Sequence, residues 1–223
     1  LDNTLQIANT ANIKLTADTF DFRVFDDPNE LRREIEKKNQ HNNKSRMVAG
    51  YCWDWKSKKN PLFKDVKIPE FNFEMQWNLE GDGSSWIIAP DSVKEIGCIH
   101  TCQGLELDYV GVIVGPDIRY ENGSVITDFK GRSKMDQSLK GIISLFRENP
   151  KEALETADRI IKNTYRTLMT RGMKGCWVYF CNKPLAEHFR MQMKLSEDKS
   201  TTEEILDLKP RIEPDVMDSA KFI

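Results

Sequence analysis

Three short apolar runs, separated by segments of helical character, constrain the fold of this chain most strongly. Residues 47–53, 109–114 and 176–181 are apolar almost throughout, which is typical of strands covered on both faces. Such strands alternating with helices predict an α/β fold, with a parallel sheet and helices on both faces. In folds of this kind ligands bind beyond the carboxyl ends of the strands, so we expect the site residues just after each strand.

Other elements have recognisable boundary signals. Residues 20–25 (FDFRVF) alternate strictly and predict a strand. Residues 27–30 (DPNE) supply an N-cap aspartate, a proline for the first helical position and a capping-box glutamate. Asn122-Gly123 indicates a two-residue hairpin turn.

Further helices are predicted over residues 1–15, 151–170 and 184–193. The second should end at a glycine cap formed by Gly172. Its apolar face is formed by residues three and four apart, namely Leu154, Ala157, Ile161, Tyr165 and Leu168.

The chain is predicted to comprise one domain and a tail. Residues 1–194 form the domain, with residues 56–94 as a β-rich insertion that decorates the main sheet and contains Trp77 and Trp86. Residues 195–223 carry eight acidic and four basic side chains and predict a loosely docked acidic tail. Because the chain begins at Leu1 rather than Met, we expect it to be part of a longer protein.

Charge and hydropathy exclude several classes of protein. The chain has 33 Lys and Arg against 35 Asp and Glu, a net charge of −2, which argues against a histone-like nucleic-acid binder. No apolar run approaches the roughly 18 residues of a membrane span, and no secretory signal is recognisable, so no membrane partner is expected.

The five cysteines are predicted to be small buried residues of a cytoplasmic protein. They are Cys52, Cys98, Cys102, Cys176 and Cys181. The spacings 98–102 and 176–181 raise the alternative of zinc, but neither is a C-x2-C knuckle and the three histidines complete no pattern. We therefore expect no metal site.

The chain lacks the usual motifs for gripping nucleotide phosphates. It contains no G-x-x-x-x-G-K-[ST] loop, no Gly-Lys dipeptide and no G-x-G-x-x-G fingerprint. A nucleotide bound by this chain would need a different phosphate-binding element.

Residues 99–110 (IHTCQGLELDYV) are the first candidate site. A strand ends, a compact polar turn follows, and Gly104 would allow close approach of a phosphate to the backbone. A carboxylate at Glu106 suits ribose hydroxyls. The alternative is an ordinary strand-to-helix turn capped by Thr101.

Residues 163–172 (NTYRTLMTRG) are the second candidate site. Arg166 and Arg171 lie near a helix C-terminus, where cations are favourable for the helix dipole alone. The alternative is that Arg171 reaches across an interface to a terminal phosphate, which a guanidinium can bind through two hydrogen bonds.

These segments together resemble a known family. Residues 99–106 look like motif V of superfamily 1 helicases, T-x-H-x-x-Q/K-G, and residues 165–171 look like motif VI, which usually ends Leu-Thr-Arg-Ala. Their separation of about 65 residues matches the second RecA-like lobe of those motors. The fuller phrases at 49–55, 98–115 and 163–175 are similar to the Schlafen-like (group 3) DNA/RNA helicase family, over roughly residues 1–190.

The resemblance implies a RecA-like three-layer α/β/α lobe of the P-loop NTPase fold that lacks the Walker A loop. It further implies that Arg171 is an arginine finger, that Gly104 lies near the terminal phosphate, and that Glu106 lies near the ribose. His100, Thr101 and Gln103 would link the nucleotide to the nucleic-acid backbone. Two positions depart from the family: Gly172 replaces a common alanine, which should not disturb Arg171, and Cys102 replaces Lys or Ser.

The resemblance also implies ATP, Mg²⁺ and a nucleic-acid partner. Motif IV and a first lobe, with the phosphate loop and the acidic magnesium motif, are expected upstream of Leu1. The partner would be DNA or RNA, in single-stranded form. Trp53 and Trp55 follow a strand and could stack on bases, or they could be core residues.

Three functions are open to a protein with these features. The first is an ATP-dependent helicase or translocase whose C-terminal motor lobe is this chain. The second is an ATP-dependent switch in a nuclease or defence system that does not unwind. The third is a purely structural lobe, which the presence of Gly104, Glu106 and Arg171 together disfavours.

Overall fold

The computed structural model describes residues 1–6, 20–78, 85–101 and 106–207, with only the backbone for Asp2 and residues 196–207. Its centre is a seven-stranded sheet of order β1-β9-β6-β2-β5-β4-β3. Every pair is parallel except β3 and β4 at one edge. The strands are β1 (Asp21–Phe25), β2 (Ser45–Ala49), β3 (Val66–Ile68), β4 (Phe73–Trp77), β5 (Glu95–Gly97), β6 (Leu107–Val114) and β9 (Gly172–Phe180).

A two-stranded hairpin, five α-helices and four short 3-10 helices complete the described elements. Strands β7 (Ile118–Glu121) and β8 (Ser124–Thr127) pair antiparallel around Asn122-Gly123, both at positive φ (51° and 79°), as the sequence predicts. The helices are α1 (Asp2–Leu5), α2 (Pro28–Asn42), α3 (Ile142–Glu148), α4 (Pro150–Met169) and α5 (Lys183–Asp207). Most of the predicted helix over residues 1–15 lies outside the described residues.

The sheet has a core on each face, which confirms the predicted three-layer α/β/α fold. On β6 and β9 the buried side chains alternate between the two cores. Val112 and Val178 pack on the face covered by α4, whereas Ile113 and Trp177 pack on the face covered by α2. Burial on both faces explains why these strands read as continuous apolar runs.

Helix α2 begins as the sequence predicts. The Asp27 carboxylate accepts a hydrogen bond from the Asn29 backbone N–H (2.7 Å), and Pro28 occupies the first helical position. Leu31 and Ile35 are fully buried against the sheet. The helix ends at Asn43 in the left-handed conformation (φ 57°).

Residues 56–94 are β-rich, but they extend the main sheet rather than decorating it. Strand β4 pairs in parallel with β5 and carries β3 at its outer edge. Trp77 and Trp86 are both fully buried, and they pack into the two cores of the whole sheet rather than within the segment.

Three local predictions were wrong. Leu154 is half exposed and Ala153 takes its place on the buried face of α4. Gly172 does not cap α4, since Thr170 is the cap and Gly172 already belongs to β9. The strand that was expected to end within residues 99–110 already ends at Gly97, and His100 lies in the turn that follows. Helix α5 runs to Asp207, past residue 195, where the sequence analysis places the start of the tail.

Candidate nucleotide and nucleic-acid sites

Arg171 and Glu106 lie at the same edge of the sheet, where β6 and β9 begin. Helix α4 ends at this edge, and Arg171 lies in the short link between α4 and β9. The backbone N–H of Leu107 donates to the Arg171 carbonyl (3.1 Å), so the segment that carries Glu106 is joined to the segment that carries Arg171. Glu106 is exposed, and Arg171 is partly exposed.

Among the described residues, the Arg171 guanidinium has a hydrogen-bond partner at one nitrogen only. Nε donates to the Thr167 carbonyl in the last turn of α4 (3.1 Å). This contact satisfies a carbonyl at the end of α4. It agrees with the simpler interpretation of Arg171 as a cation that interacts with the helix dipole. The two terminal nitrogens form neither a hydrogen bond nor an ion pair with any described residue. They therefore present a planar pair of donors suited to a phosphate.

Gly172 shapes the backbone beside Arg171. The pairing of β6 with β9 is irregular here, since Leu107 pairs with Gly172 and Tyr109 pairs with Gly175. A Cβ atom on Gly172 would lie 2.0 Å from the Gly175 carbonyl oxygen. Alanine therefore does not fit this bulge, and the expectation that glycine at this position leaves Arg171 undisturbed stays a prediction.

A second carboxylate at this edge, Asp108, is already engaged. It accepts hydrogen bonds from Lys174 and from Asn42, both at 2.7 Å. The hydrogen bond from Lys174 holds the pKa of Asp108 below its usual value. Of the two carboxylates, Glu106 is the exposed one.

His100 and Thr101 lie at the opposite edge, where β5 ends. His100 is exposed. The Thr101 hydroxyl donates to Asn78 Oδ1 (2.8 Å), which follows β4, and lies 3.3 Å from Cys98 Sγ. Gln103 and Gly104 lie outside the described residues.

Trp53 and Trp55 follow β2 at this same edge, and both are partly buried. The Trp53 indole N–H donates to the Lys67 carbonyl (3.2 Å). The Trp55 ring packs near Tyr51 and Trp77, with centroids 6.5 Å from each. Both tryptophans thus contact the core and keep part of their surface exposed.

The predicted site residues therefore divide between two edges of the sheet. His100, Thr101, Trp53 and Trp55 follow strands, whereas Glu106 precedes β6 and Arg171 precedes β9, at the end of a helix as its sequence predicts. The reason is that α4 runs back across the sheet, so its C-terminus lies where the next strand begins. The length of β6 separates the two edges by about 23 Å, at roughly 3.3 Å per residue.

One buried polar cluster was missed by the sequence analysis. Arg132 forms ion pairs with Asp117 (3.0 Å) and Asp136 (2.6 Å), with all three side chains at most 1% exposed. The Tyr165 hydroxyl donates to Asp117 and accepts from the Gly115 N–H (2.9 Å). Burial and the Asp117 carboxylate raise the pKa of Tyr165 well above its usual value. The one available signal was that Asp117 follows a predicted strand.

Comparison with known proteins places the chain in a family. The fold is that of a RecA-like α/β/α lobe. The family model described as "Schlafen group 3, DNA/RNA helicase domain" matches residues 1–182, and the chain belongs to this family. An uncharacterized protein of Saccharomyces cerevisiae is 26% identical over 170 residues, which cover 75% of this chain and 36% of the relative. No solved structure gives a significant match.

The described residues contain neither a membrane-spanning helix nor a metal-binding group of side chains. None of their helices combines the length and apolar character needed to cross a membrane. Nor do three or more of their His, Cys, Asp or Glu side chains form a group that could hold a metal ion.

Proposed function

We propose that the chain is the C-terminal motor lobe of an ATP-dependent DNA or RNA helicase or translocase. The observation that carries the proposal is the Leu107–Arg171 hydrogen bond, which joins Glu106 and Arg171 at one edge of the sheet. Family membership supports a helicase-like function in general. Because the chain spans 36% of the yeast relative, the activity of the whole protein belongs to the proposal.

Arg171 would act on the terminal phosphate of ATP as an arginine finger. Its terminal nitrogens can donate to two phosphate oxygens, and its charge would stabilise the negative charge that develops during phosphoryl transfer. The Nε contact to Thr167 would fix the direction of the guanidinium. Glu106 would accept from the ribose hydroxyls, and Gln103 and Gly104 would contact the nucleotide.

A second lobe would complete the ATP site. The chain has no phosphate loop, so the second lobe would supply that loop and the carboxylates that hold Mg²⁺. His100, Thr101, Trp53 and Trp55 would contact a single strand at the opposite edge. ATP turnover at one edge would then change the affinity for nucleic acid at the other edge, as a translocase requires.

The proposal is tested by steady-state ATPase assays on the full-length protein with Arg171→Ala and Arg171→Lys. We expect turnover to fall about 10³-fold or more in the alanine variant. The lysine variant should recover little, because an ammonium cannot form the two parallel hydrogen bonds. Lys174→Ala is the matched control, since it removes a cation from the same edge that pairs with Asp108.

Near wild-type turnover in Arg171→Ala would contradict the arginine-finger role. A strand-displacement assay on the same protein separates the helicase from the switch. ATPase activity stimulated by nucleic acid, with neither displacement nor movement along the strand, would favour the switch.

A further inference from the structure

A cavity of about 490 Å³ opens at the carboxyl end of β2, away from Arg171. Its walls come from two segments distant in the chain, residues 52–67 and residues 130–134. Its volume lies within the usual range for ligand sites. The sequence of these segments predicts no function for it beyond the possible stacking of Trp53 on bases.

Lysines dominate the charge of this cavity, with Lys56, Lys67, Lys130 and Lys134 in its lining. All four are exposed. Lys67 pairs with Glu74 (3.1 Å), whereas Lys56, Lys130 and Lys134 form no ion pair within the described part of the chain. Arg132 adds little, because Asp117 and Asp136 neutralise it in the interior.

The two aspartates of the lining are engaged with the protein itself. Asp54 accepts from the Ser133 hydroxyl (2.6 Å), which ties the two walls together. Asp65 is buried and accepts from the backbone N–H groups of Lys56 (2.7 Å), Ser57 (2.8 Å) and Trp77 (3.1 Å). Their carboxylates organise the walls, and the lysines face the solvent.

Aromatic rings lie between the ammonium groups. The Nζ atoms of Lys56 and Lys67 are each 5.4 Å from the Phe63 ring centroid. Trp53 also lines the cavity, with its ring fixed by the hydrogen bond to the Lys67 carbonyl. Cations interleaved with aromatic faces suit a ligand that alternates phosphates with flat bases.

We infer that this cavity binds a single strand of nucleic acid. Lys56, Lys130 and Lys134 contact its phosphates, and a base stacks against Phe63 or Trp53. A concave site walled by two loops selects a single strand, because the bases of a duplex are stacked inside and cannot reach the rings. The inference rests on the proposed function, for which it names the strand-binding residues.

The test is a titration of the full-length protein against fluorescein-labelled oligo(dT), oligo(U) and a duplex, followed by anisotropy at several salt concentrations. The first variant is Lys130→Ala/Lys134→Ala. Single-strand affinity should fall about tenfold, and the slope of log K against log salt should shrink by about 1.4, since each lost phosphate contact contributes about 0.7. The control, Lys94→Ala/Lys151→Ala, removes two exposed lysines from outside the lining and should change neither.

A second variant separates stacking from charge. Phe63→Leu keeps an apolar side chain but removes the ring. Single-strand affinity should fall about fivefold or more with an unchanged salt slope. Thermal melting of each variant checks that the fold is retained.

The outcomes separate the inference from the proposed function. Binding of oligo(dT), oligo(U) or both that weakens in the cavity variants supports the inference, and the stronger ligand identifies the nucleic acid. Three outcomes would contradict the inference while leaving the proposed function intact. The cavity variants could keep wild-type affinity and wild-type salt slope, the control variant could lose as much affinity as they do, or the protein could bind only the duplex. A wild-type protein that binds no nucleic acid and shows no stimulated ATPase overturns both.

Discussion

The hydroxyl of Tyr165 donates a hydrogen bond to Asp117 in the interior of the protein. Tyr165 lies on α4, six residues before Arg171, whereas Asp117 follows β6 and pairs with Arg132 beside the lysine-lined cavity. The helix that leads to the candidate finger is thus joined through buried polar groups to a wall of the candidate strand-binding site.

The Asp117–Arg132–Asp136 cluster should be costly to break. Arg132→Met leaves two buried carboxylates without their cation, and we expect a loss of about 3–5 kcal/mol in the free energy of unfolding. Arg119→Met is the control, since its pair with Glu121 is exposed and is worth at most about 1 kcal/mol. Urea unfolding of both variants measures the difference, and similar losses would mean that the cluster is not a special source of stability.

Gly172→Ala should disturb Arg171 without touching it. The new methyl group would lie 2.0 Å from the Gly175 carbonyl oxygen, so the bulge must open and the Leu107–Arg171 hydrogen bond must weaken. We expect a loss of about 1–3 kcal/mol in stability and a fall in the ATPase activity of the full-length protein. Gly123→Ala, in an open turn at φ 79°, is a comparison that strains the backbone far from Arg171 and should leave turnover unchanged in the folded protein.

Arg46 should be required for folding although no carboxylate in the described part of the chain pairs with it. It is fully buried, and its guanidinium donates to the Ser92 hydroxyl (2.8 Å) and to the carbonyls of Ile87 (2.6 Å) and Ala89 (3.1 Å). Burial lowers its pKa to about 10. Arg46→Met would leave the Ile87 carbonyl without a donor among the described residues, at a cost of about 1–3 kcal/mol. The Ala89 carbonyl would lose one of its donors but would still accept from the Ser92 hydroxyl (2.7 Å). Urea unfolding should give a larger loss than for Arg119→Met, and an equal loss would contradict this role.

Alkaline pH should destabilise the protein through its buried thiols. Burial raises the pKa of Cys176 well above 9.0, so above that pH the unfolded chain releases a proton that the native state retains. The stability from this group is complete below 9.0 and is lost as pH rises, by about 1.4 kcal/mol per pH unit. Cys176→Ala should be less stable at neutral pH but should show a slope shallower by that amount. Equal slopes would contradict the prediction.

Local sequence was sufficient wherever a short segment determines its own conformation. The strands β6 and β9 follow from apolar residues that are buried on both faces. The start of α2 follows from Asp27 and Pro28, and the hairpin follows from Asn122-Gly123. The nature of these residues restricts the backbone or requires burial, whatever the rest of the chain does.

The two candidate segments were also recognisable in sequence, but their arrangement was not. Only the tertiary structure shows that His100 and Thr101 lie one length of β6 away from Glu106 and Arg171. It also shows why Gly172 must be a glycine, since the clash involves the backbone of Gly175.

Long-range pairing decided the remaining features. Strands β3 and β4 are three and five residues long, and they join the sheet because β5 offers β4 a partner. Lys56 and Lys134 lie far apart in a chain of net charge −2, and folding brings them to one cavity. The amino-acid composition gives only the net charge of the chain. The attraction of these lysines for a phosphate depends on how close together folding brings their ammonium groups.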